Sequence, residues 1–233
     1  MFFDPDASNP PAHLVIGGKS VRGARDVQVA SPSRRSLIRT VGWSSPAQVD
    51  EAVSAARRAA KGWAALAPRE RADHLRRFAD LVDARADQLA RLESLVSSRI
   101  YSEVIARDVK VVSGVLRYFG EFADKIDGAV TPTPANSLSL TIHEPHGVVA
   151  AISPWNFPMI LAAWKFAPAL AAGNAVVLKP SELTPFSATM LADLALEAGM
   201  PAGVFNVIHG DGAVGGELVR HPADHHQLLV VLL

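Results

Sequence analysis

Apolar residues along this chain follow two rhythms, and the change falls at Gly147. Before it the rhythm is mainly helical. Ser45-Pro46-Ala47-Gln48 has the spacing of a capping box with proline at the first helical position. Behind it Val49, Val53, Ala56, Ala60 and Trp63 recur at helical spacing. A second helix is predicted to begin near Pro68 and to carry Leu75, Phe78, Val82 and Leu89 on one face. A third is predicted through Ile105, Val109, Val112, Leu116, Phe119, Ala123 and Ile126, whose steps of three and four mark a long amphipathic helix. Ahead of these, His13 to Val29 alternates about Gly17-Gly18, which predicts a short hairpin. Behind them come a Pro/Thr connector, Gly128 to Pro134, and an extended segment, Ser137 to His143.

From Gly147 onward the apolar runs are short and unbroken: Val148 to Ile152, Ala175 to Leu178 and Val204 to Ile208. Such runs suit parallel strands covered on both faces. Helical stretches Pro158 to Ala172 and Pro185 to Ala198 separate them, the latter closed by Gly199 and Pro201. Repeated strand–helix–strand units imply right-handed crossovers. The expected fold is α/β: an open, mainly parallel, Rossmann-like sheet preceded by an N-terminal helical region. One unit is expected over residues 1–233, with a hairpin and helices over 1–127, a connector and arm over 128–146, and strand–helix–strand units over 147–233.

Composition narrows the chemistry. The 233 residues are 49% hydrophobic and 20% charged, ordinary values for a globular chain. Lys+Arg and Asp+Glu are 23 each with no basic block, so nucleic acid is not the expected partner. There is no cysteine, hence no disulfide framework, no thiolate nucleophile and no cysteine-based zinc site. Met1 to Pro11 holds acids and prolines where a secretory signal needs basic and then apolar residues, and the apolar stretch Met159 to Ala172 is interrupted by Lys165 and Pro168. A cytoplasmic protein without a membrane span is expected. His143 and His146, and His221 and His225, have ligand-like spacing, but no carboxylate cluster stands near, so no metal is expected.

In an open α/β sheet, ligands sit at the carboxyl ends of the strands. That rule gathers Ser153-Pro154-Trp155-Asn156, Lys179-Pro180-Ser181-Glu182 and His209-Gly210-Asp211-Gly212 around one crevice. The uncharged Asn156 amide can donate hydrogen bonds to a developing oxyanion. It could equally cap a helix starting at Phe157 or Pro158. Lys179 and Glu182 could hold the hydroxyls of an adenosine ribose, and the carboxylate would repel a 2′-phosphate, or they could form a solvated surface pair. Gly210-x-Gly212-x-x-Gly215 fits a dinucleotide fingerprint, or only a tight strand-to-helix turn.

At these residues the chain resembles the aldehyde dehydrogenase superfamily. The similarity is specific from Glu144 to Pro222. It rests on Glu144-Pro145-His146-Gly147-Val148-Val149, Ser153 to Pro158, Lys165 to Asn174, Lys179-Pro180-Ser181-Glu182, and Pro201-x-Gly203-Val204-Phe205-Asn206-Val207. The region Ser45 to Ile126 matches more loosely. Two turns depart from the family pattern: Ser31-Pro32-Ser33-Arg34-Arg35 replaces Asn-Pro-x-Thr-Gly, and Ser98-Arg99-Ile100 replaces Gly-Lys-Pro.

The resemblance implies NAD(P)-dependent oxidation of an aldehyde, with NAD favoured over NADP. By motif match Asn156 is the oxyanion-hole amide, Lys179 and Glu182 are ribose contacts, Ile152, Ser153, Pro154, Trp155 and Ser181 line the cofactor cleft, and Gly212 lies on its adenine side. The arm Thr133 to His146 resembles the segment through which such subunits pair as homo- or hetero-oligomers. The family's cysteine nucleophile and general-base glutamate motif have no counterpart here, so the implied fold is a truncated aldehyde dehydrogenase-like one. No turnover is expected from this chain alone, and an aldehyde would be a substrate only if a catalytic domain is supplied. A catalytically dead dinucleotide-binding or pairing module, or a frameshift or truncation product, are the alternatives. Leu228 to Leu233 could then stand in for a fourth strand and leave a bare sheet edge.

Overall fold

The computed structural model of the chain describes residues 10–222 and 228–231. Its strands are β1 (Leu14–Ile16), β2 (Lys19–Val21), β3 (Arg25–Ala30), β4 (Leu37–Trp43), β5 (Ala129–Thr131), β6 (Ser139–Thr141), β7 (Val148–Ile152), β8 (Ala175–Lys179), β9 (Phe205–Val207) and β10 (Leu228–Val231). Its helices are α1 (Pro46–Ala65), α2 (Pro68–Ala84), α3 (Ala86–Ser97), α4 (Tyr101–Glu103), α5 (Val109–Phe122), α6 (Pro158–Ala171), α7 (Phe186–Glu197) and α8 (Gly212–Val219).

The main sheet runs β10-β7-β8-β9-β1-β2. The first four strands are parallel, whereas β1 lies antiparallel beside β9 and β2 folds back on β1. The expected parallel units are present, and Leu228–Val231 does form the fourth parallel strand, pairing with β7 alone among the described residues. Both faces of the sheet are covered, which explains the unbroken apolar runs. Along β7, Val148 and Ala150 point into one core with α1, while Val149 and Ala151 point into another with α2, α5, α6 and α7. In β8, Ala175 and Val177 alternate with Val176 and Leu178 in the same way.

The hairpin around Gly17-Gly18 is narrower than the alternation suggested. Both glycines have positive φ, 58° and 74°, as a two-residue type I′ turn demands, and the chain then leaves to form the separate β3–β4 hairpin. Ser45 caps α1 through a complete capping box. The second apolar face is divided between two helices: Leu75, Phe78 and Val82 lie on α2, but Leu89 belongs to α3. The third is also broken, since a π-helical turn, Val104–Asp108, precedes α5, and Ile126 lies beyond its end. Two residues other than glycine take the left-handed conformation, Arg35 (φ 54°) and Ser98 (φ 56°). They stand where the family pattern places glycine, so each departure carries backbone strain.

Helix α6 is fastened at both ends by side chains of the helical region. Its C-terminal carbonyls accept from that region: Leu170 O from Trp63 Nε1 at 2.9 Å, and Ala171 O from Arg71 Nε at 3.1 Å. At its start the Met159 N–H donates to the buried Glu93 carboxylate at 3.0 Å. Carboxylate at the N-terminus and guanidinium at the C-terminus match the helix dipole.

Candidate functional site

Strands β7, β8 and β9 follow one another in one direction across the sheet, and β10 returns to the far side of β7. The order therefore reverses between β7 and β10, and crevices for ligands form outside the carboxyl ends of strands at such a switch. The β7 end is Ile152, followed by Ser153 to Phe157. Ser153 N–H donates to Lys179 O at 3.1 Å and Ile208 N–H to Leu178 O at 3.0 Å, so the three strand-end loops share one edge.

Asn156 is exposed, and its side chain bonds to none of the described residues. It does not cap α6. Phe157 is the N-cap and has no side-chain acceptor to offer, and the Met159 N–H is taken by Glu93 instead. The amide is left with both donors available at the mouth of the switch. At the next residue, the guanidinium of Arg99 lies 4.2 Å from the Phe157 ring centroid, and Arg99 Nη2 donates to the buried Asp108 at 3.2 Å. The π-helical turn delivers Asp108 to that position.

Lys179 is 3% exposed and gives two of its three donors to backbone, Pro180 O at 2.8 Å and Gly210 O at 2.6 Å. Burial lowers its pKa, opposed by the charges of Glu182 and Asp211. One N–H remains for a ligand. Lys179 is thus as much a tie between the β8 and β9 loops as a contact residue. Ser181 is buried and its hydroxyl accepts from Leu183 N–H at 3.3 Å.

The three glycines of the fingerprint have different reasons to be there. A Cβ on Gly210 would lie 2.3 Å from Val214 Cγ2, and one on Gly215 would lie 3.3 Å from Lys179 Cε. These two serve packing of the turn. Gly212 faces open space, with no atom within 4 Å of a Cβ there. Asp211 caps α8, accepting from Ala213 N–H at 2.9 Å.

The expected residues divide between two walls. Ile152, Lys179 and Gly212 gather where α8 meets the ends of β7 and β8. Trp155 and Glu182 instead border a largely apolar cavity of about 460 Å³, closed by Gln28, Val29 and Val96. Charge still links the two walls, since Glu182 acts on Lys179.

Among the described residues, the buried ionisable groups Glu93, His209 and Lys165 were not singled out as site residues. Burial pushes the Glu93 carboxyl up to about 7, with the Met159 N–H and Ser187 opposing. His209, at the end of β9, is pulled down to about 3 by burial and is held by Thr189 Oγ1 at 2.8 Å. Lys165 is 3% exposed, its pKa lowered by burial, and its ammonium reaches back along α6 to Leu161 O at 3.5 Å. Lys165 had a signal in the sequence, a lone ionisable residue in an apolar stretch. Among the described residues no group of three or more potential metal ligands occurs, and no helix is long and apolar enough to cross a membrane. His225 lies outside the described residues.

A doubly wound parallel sheet with its ligand loops at the strand reversal defines a nucleotide-binding class of α/β protein. The aldehyde dehydrogenase family model matches residues 20–226, and the chain belongs to that family. An indole-3-acetaldehyde dehydrogenase solved with NAD+ superposes with a TM-score of 0.90 at 40% identity, over 93% of this chain and 45% of that one. A gamma-glutamyl-gamma-aminobutyraldehyde dehydrogenase from Burkholderia cenocepacia gives 0.90 at 42%, with the same coverage. The aldehyde dehydrogenase KauB from Pseudomonas aeruginosa gives 0.90 at 40%. The chain spans about half the length of these structures, 45% in each case.

Proposed function

We propose that the chain forms the dinucleotide-binding half of an aldehyde dehydrogenase and binds NAD, with NADP disfavoured, at the crevice beyond β7, β8 and β9. The observation that carries this reading is the unbonded Asn156 amide at the strand reversal, freed from helix capping by Glu93. The residues present fit the group. Gly212 admits close approach of a ligand to backbone, Ile152 to Trp155 supply a wall, and the Glu182 carboxylate accepts from ribose hydroxyls and repels a 2′-phosphate. An indole-3-acetaldehyde dehydrogenase of similar fold is known in complex with NAD+. When bound, the nicotinamide supplies hydride acceptance. Asn156 would donate to the oxygen of an aldehyde carbonyl as negative charge develops there. No side chain of these 233 residues is a thiolate, so turnover requires a nucleophile from elsewhere and none is expected from this chain alone.

Calorimetric titration of the 233-residue protein tests the reading. NAD should bind more tightly than NADP, and Glu182→Ala should weaken NAD roughly tenfold or more, the worth of one charged hydrogen bond. Equal affinities for both nucleotides, or indifference to Glu182→Ala, would remove the ribose assignment. NADH formation with an aldehyde would overturn the inactivity.

A pairing role is the second reading. The β5–β6 hairpin exposes Val130 (71%), Leu138 (75%) and Ile142 (74%), an apolar ribbon that a second subunit of the family would cover. Sedimentation of wild type against Leu138→Asp distinguishes a paired protein from a monomer, and identical monomeric profiles would end this reading.

A further inference from the structure

Next to Asn156, the ring of Phe157 is approached by two guanidinium groups, Arg99 at 4.2 Å and Arg107 at 5.6 Å from its centroid. Both charges lean on a single carboxylate. Asp108 has no exposed surface; Arg99 Nε stands 2.8 Å from one of its oxygens and Arg107 Nε 3.0 Å from the other. We infer that Arg107 is a specificity-determining residue, binding the carboxylate tail of a short ω-carboxylated aldehyde whose carbonyl Asn156 receives. The inference rests on the assignment of Asn156 to a carbonyl oxygen and adds a substrate class to it.

Three observations carry it. The first is charge. Two guanidinium groups share one acid, and the buried Asp108 has both oxygens engaged. Glu93 faces Arg99 and Asp108 from α3, but burial pushes its carboxyl up to about 7, which leaves it largely uncharged at about pH 6. Glu103, one turn before Arg107, forms no ion pair with it. A positive surplus therefore remains on the more exposed of the two arginines.

The second is access. The Arg107 side chain is 57% exposed and only its Nε is engaged, so both Nη groups stay open as a fork for a carboxylate. Arg99, 16% exposed, is committed to Asp108 through Nε and Nη2 and steadies the acid that orients Arg107. The third is position. Arg107 belongs to the π-helical turn, a bulge of the kind that frequently accompanies functional sites. Consecutive Cα atoms are about 3.8 Å apart, so a carbonyl at the Asn156 amide and a carboxylate held beside the next ring suit a chain of a few carbons.

The test is an NMR titration of the 233-residue protein at about pH 6, with unreactive amides in place of the aldehyde. Succinamate carries an amide carbonyl and a carboxylate, butyramide has a methyl group where the carboxylate was, and acetate has the carboxylate alone. Succinamate should saturate and move the Asn156 side-chain amide and the Arg107 Nε–H together. It should bind about tenfold more tightly than butyramide or acetate, the worth of one charged hydrogen bond. Arg107→Met, verified as folded by its thermal transition, should bring succinamate to the level of butyramide and leave butyramide unchanged. Arg107→Lys keeps the charge without the fork and should fall between. Asn156→Ala should weaken both amides alike. Equal binding of succinamate and butyramide, each moving Asn156, would overturn the inference and leave the carbonyl assignment standing. Succinamate binding that Arg107→Met abolishes and Asn156→Ala leaves untouched would uphold the carboxylate site and sink the carbonyl assignment. Acetate binding as tight as that of succinamate would overturn the substrate class, and so would the absence of saturable shifts with succinamate in the folded wild type.

Discussion

Glu93→Gln tests whether a buried carboxyl that holds the first turn of α6 is tuned as its surroundings indicate. Glutamine keeps the size and an acceptor oxygen for the Met159 N–H but cannot ionise. The groups facing Glu93 are the Met159 N–H, Ser187, Asp108 and Arg99, and burial outweighs them to move the carboxyl from 4.5 to about 7. The folded protein then binds a proton that the unfolded chain has released between those values. Stability from this residue is complete below pH 4.5 and is lost as pH rises through about 7. The rise from 4.5 to about 7, at about 1.4 kcal/mol per pH unit, amounts to about 3.5 kcal/mol over that window. Urea unfolding of wild type and Glu93→Gln at several pH values between 4.5 and 8 reads the difference directly. The variant should gain on wild type by about 3.5 kcal/mol from the acid to the alkaline end, whatever its offset at the start. A difference that stays constant with pH would refute the reasoning, because it would mean that the carboxyl titrates alike in both states.

Three further outcomes are expected. His209, lowered to about 3, stays neutral in the fold while the unfolded imidazole protonates below about 6.5, so stability falls as pH falls from 6.5 toward 3. His209→Asn should be less stable overall yet show a shallower acid limb in the same urea series. Gly212→Ala should leave the thermal transition nearly unchanged and weaken NAD binding in calorimetry, whereas Gly210→Ala, driven against Val214, should lose roughly 1–3 kcal/mol by urea titration. Ser98→Gly and Arg35→Gly should each stabilise by roughly 0.5–1 kcal/mol, the left-handed strain relieved less the added freedom of glycine when unfolded, as read from denaturation midpoints.

The elements most legible in the sequence were those written by local rules. The Ser45 capping box, the Pro158 start of α6 and the unbroken strand β7 depend on neighbours within a few residues. The elements misjudged depend on partners far along the chain. Leu89 continues the apolar face of α2 by spacing, but the chain turns at Arg85 and places it on α3. The π-helical turn leaves no mark on the three-and-four periodicity of Ile105 to Ile126. The site was legible as a set of loops, because strand ends must face one edge. Its internal economy was not. Nothing near Asn156 in sequence shows that its capping duty is taken by Glu93, a residue 66 positions before Met159. Likewise the engagement of Lys179 with Gly210 O, 31 positions away, exists only once two loops have met.

Strand β1 pairs with β9, and the Gly17 N–H reaches Asn206 Oδ1 at 2.9 Å across 189 positions of chain. Closing a loop of that length costs about 4–5 kcal/mol in entropy beyond a constant term, against a few ladder bonds gained. During synthesis the first strand must therefore wait until β9 has emerged, with Leu14, Val15 and Ile16 still uncovered. The contiguous run from β7 to β9 needs only short closures and can form beforehand. The sheet is thus assembled from its middle outward: a sequential nucleus, then a clasp from the beginning of the chain on one side and β10 on the other. Its rate-limiting event should be the docking of β1, and delaying or removing residues 10–21 should leave an intermediate in which β9 is a sheet edge.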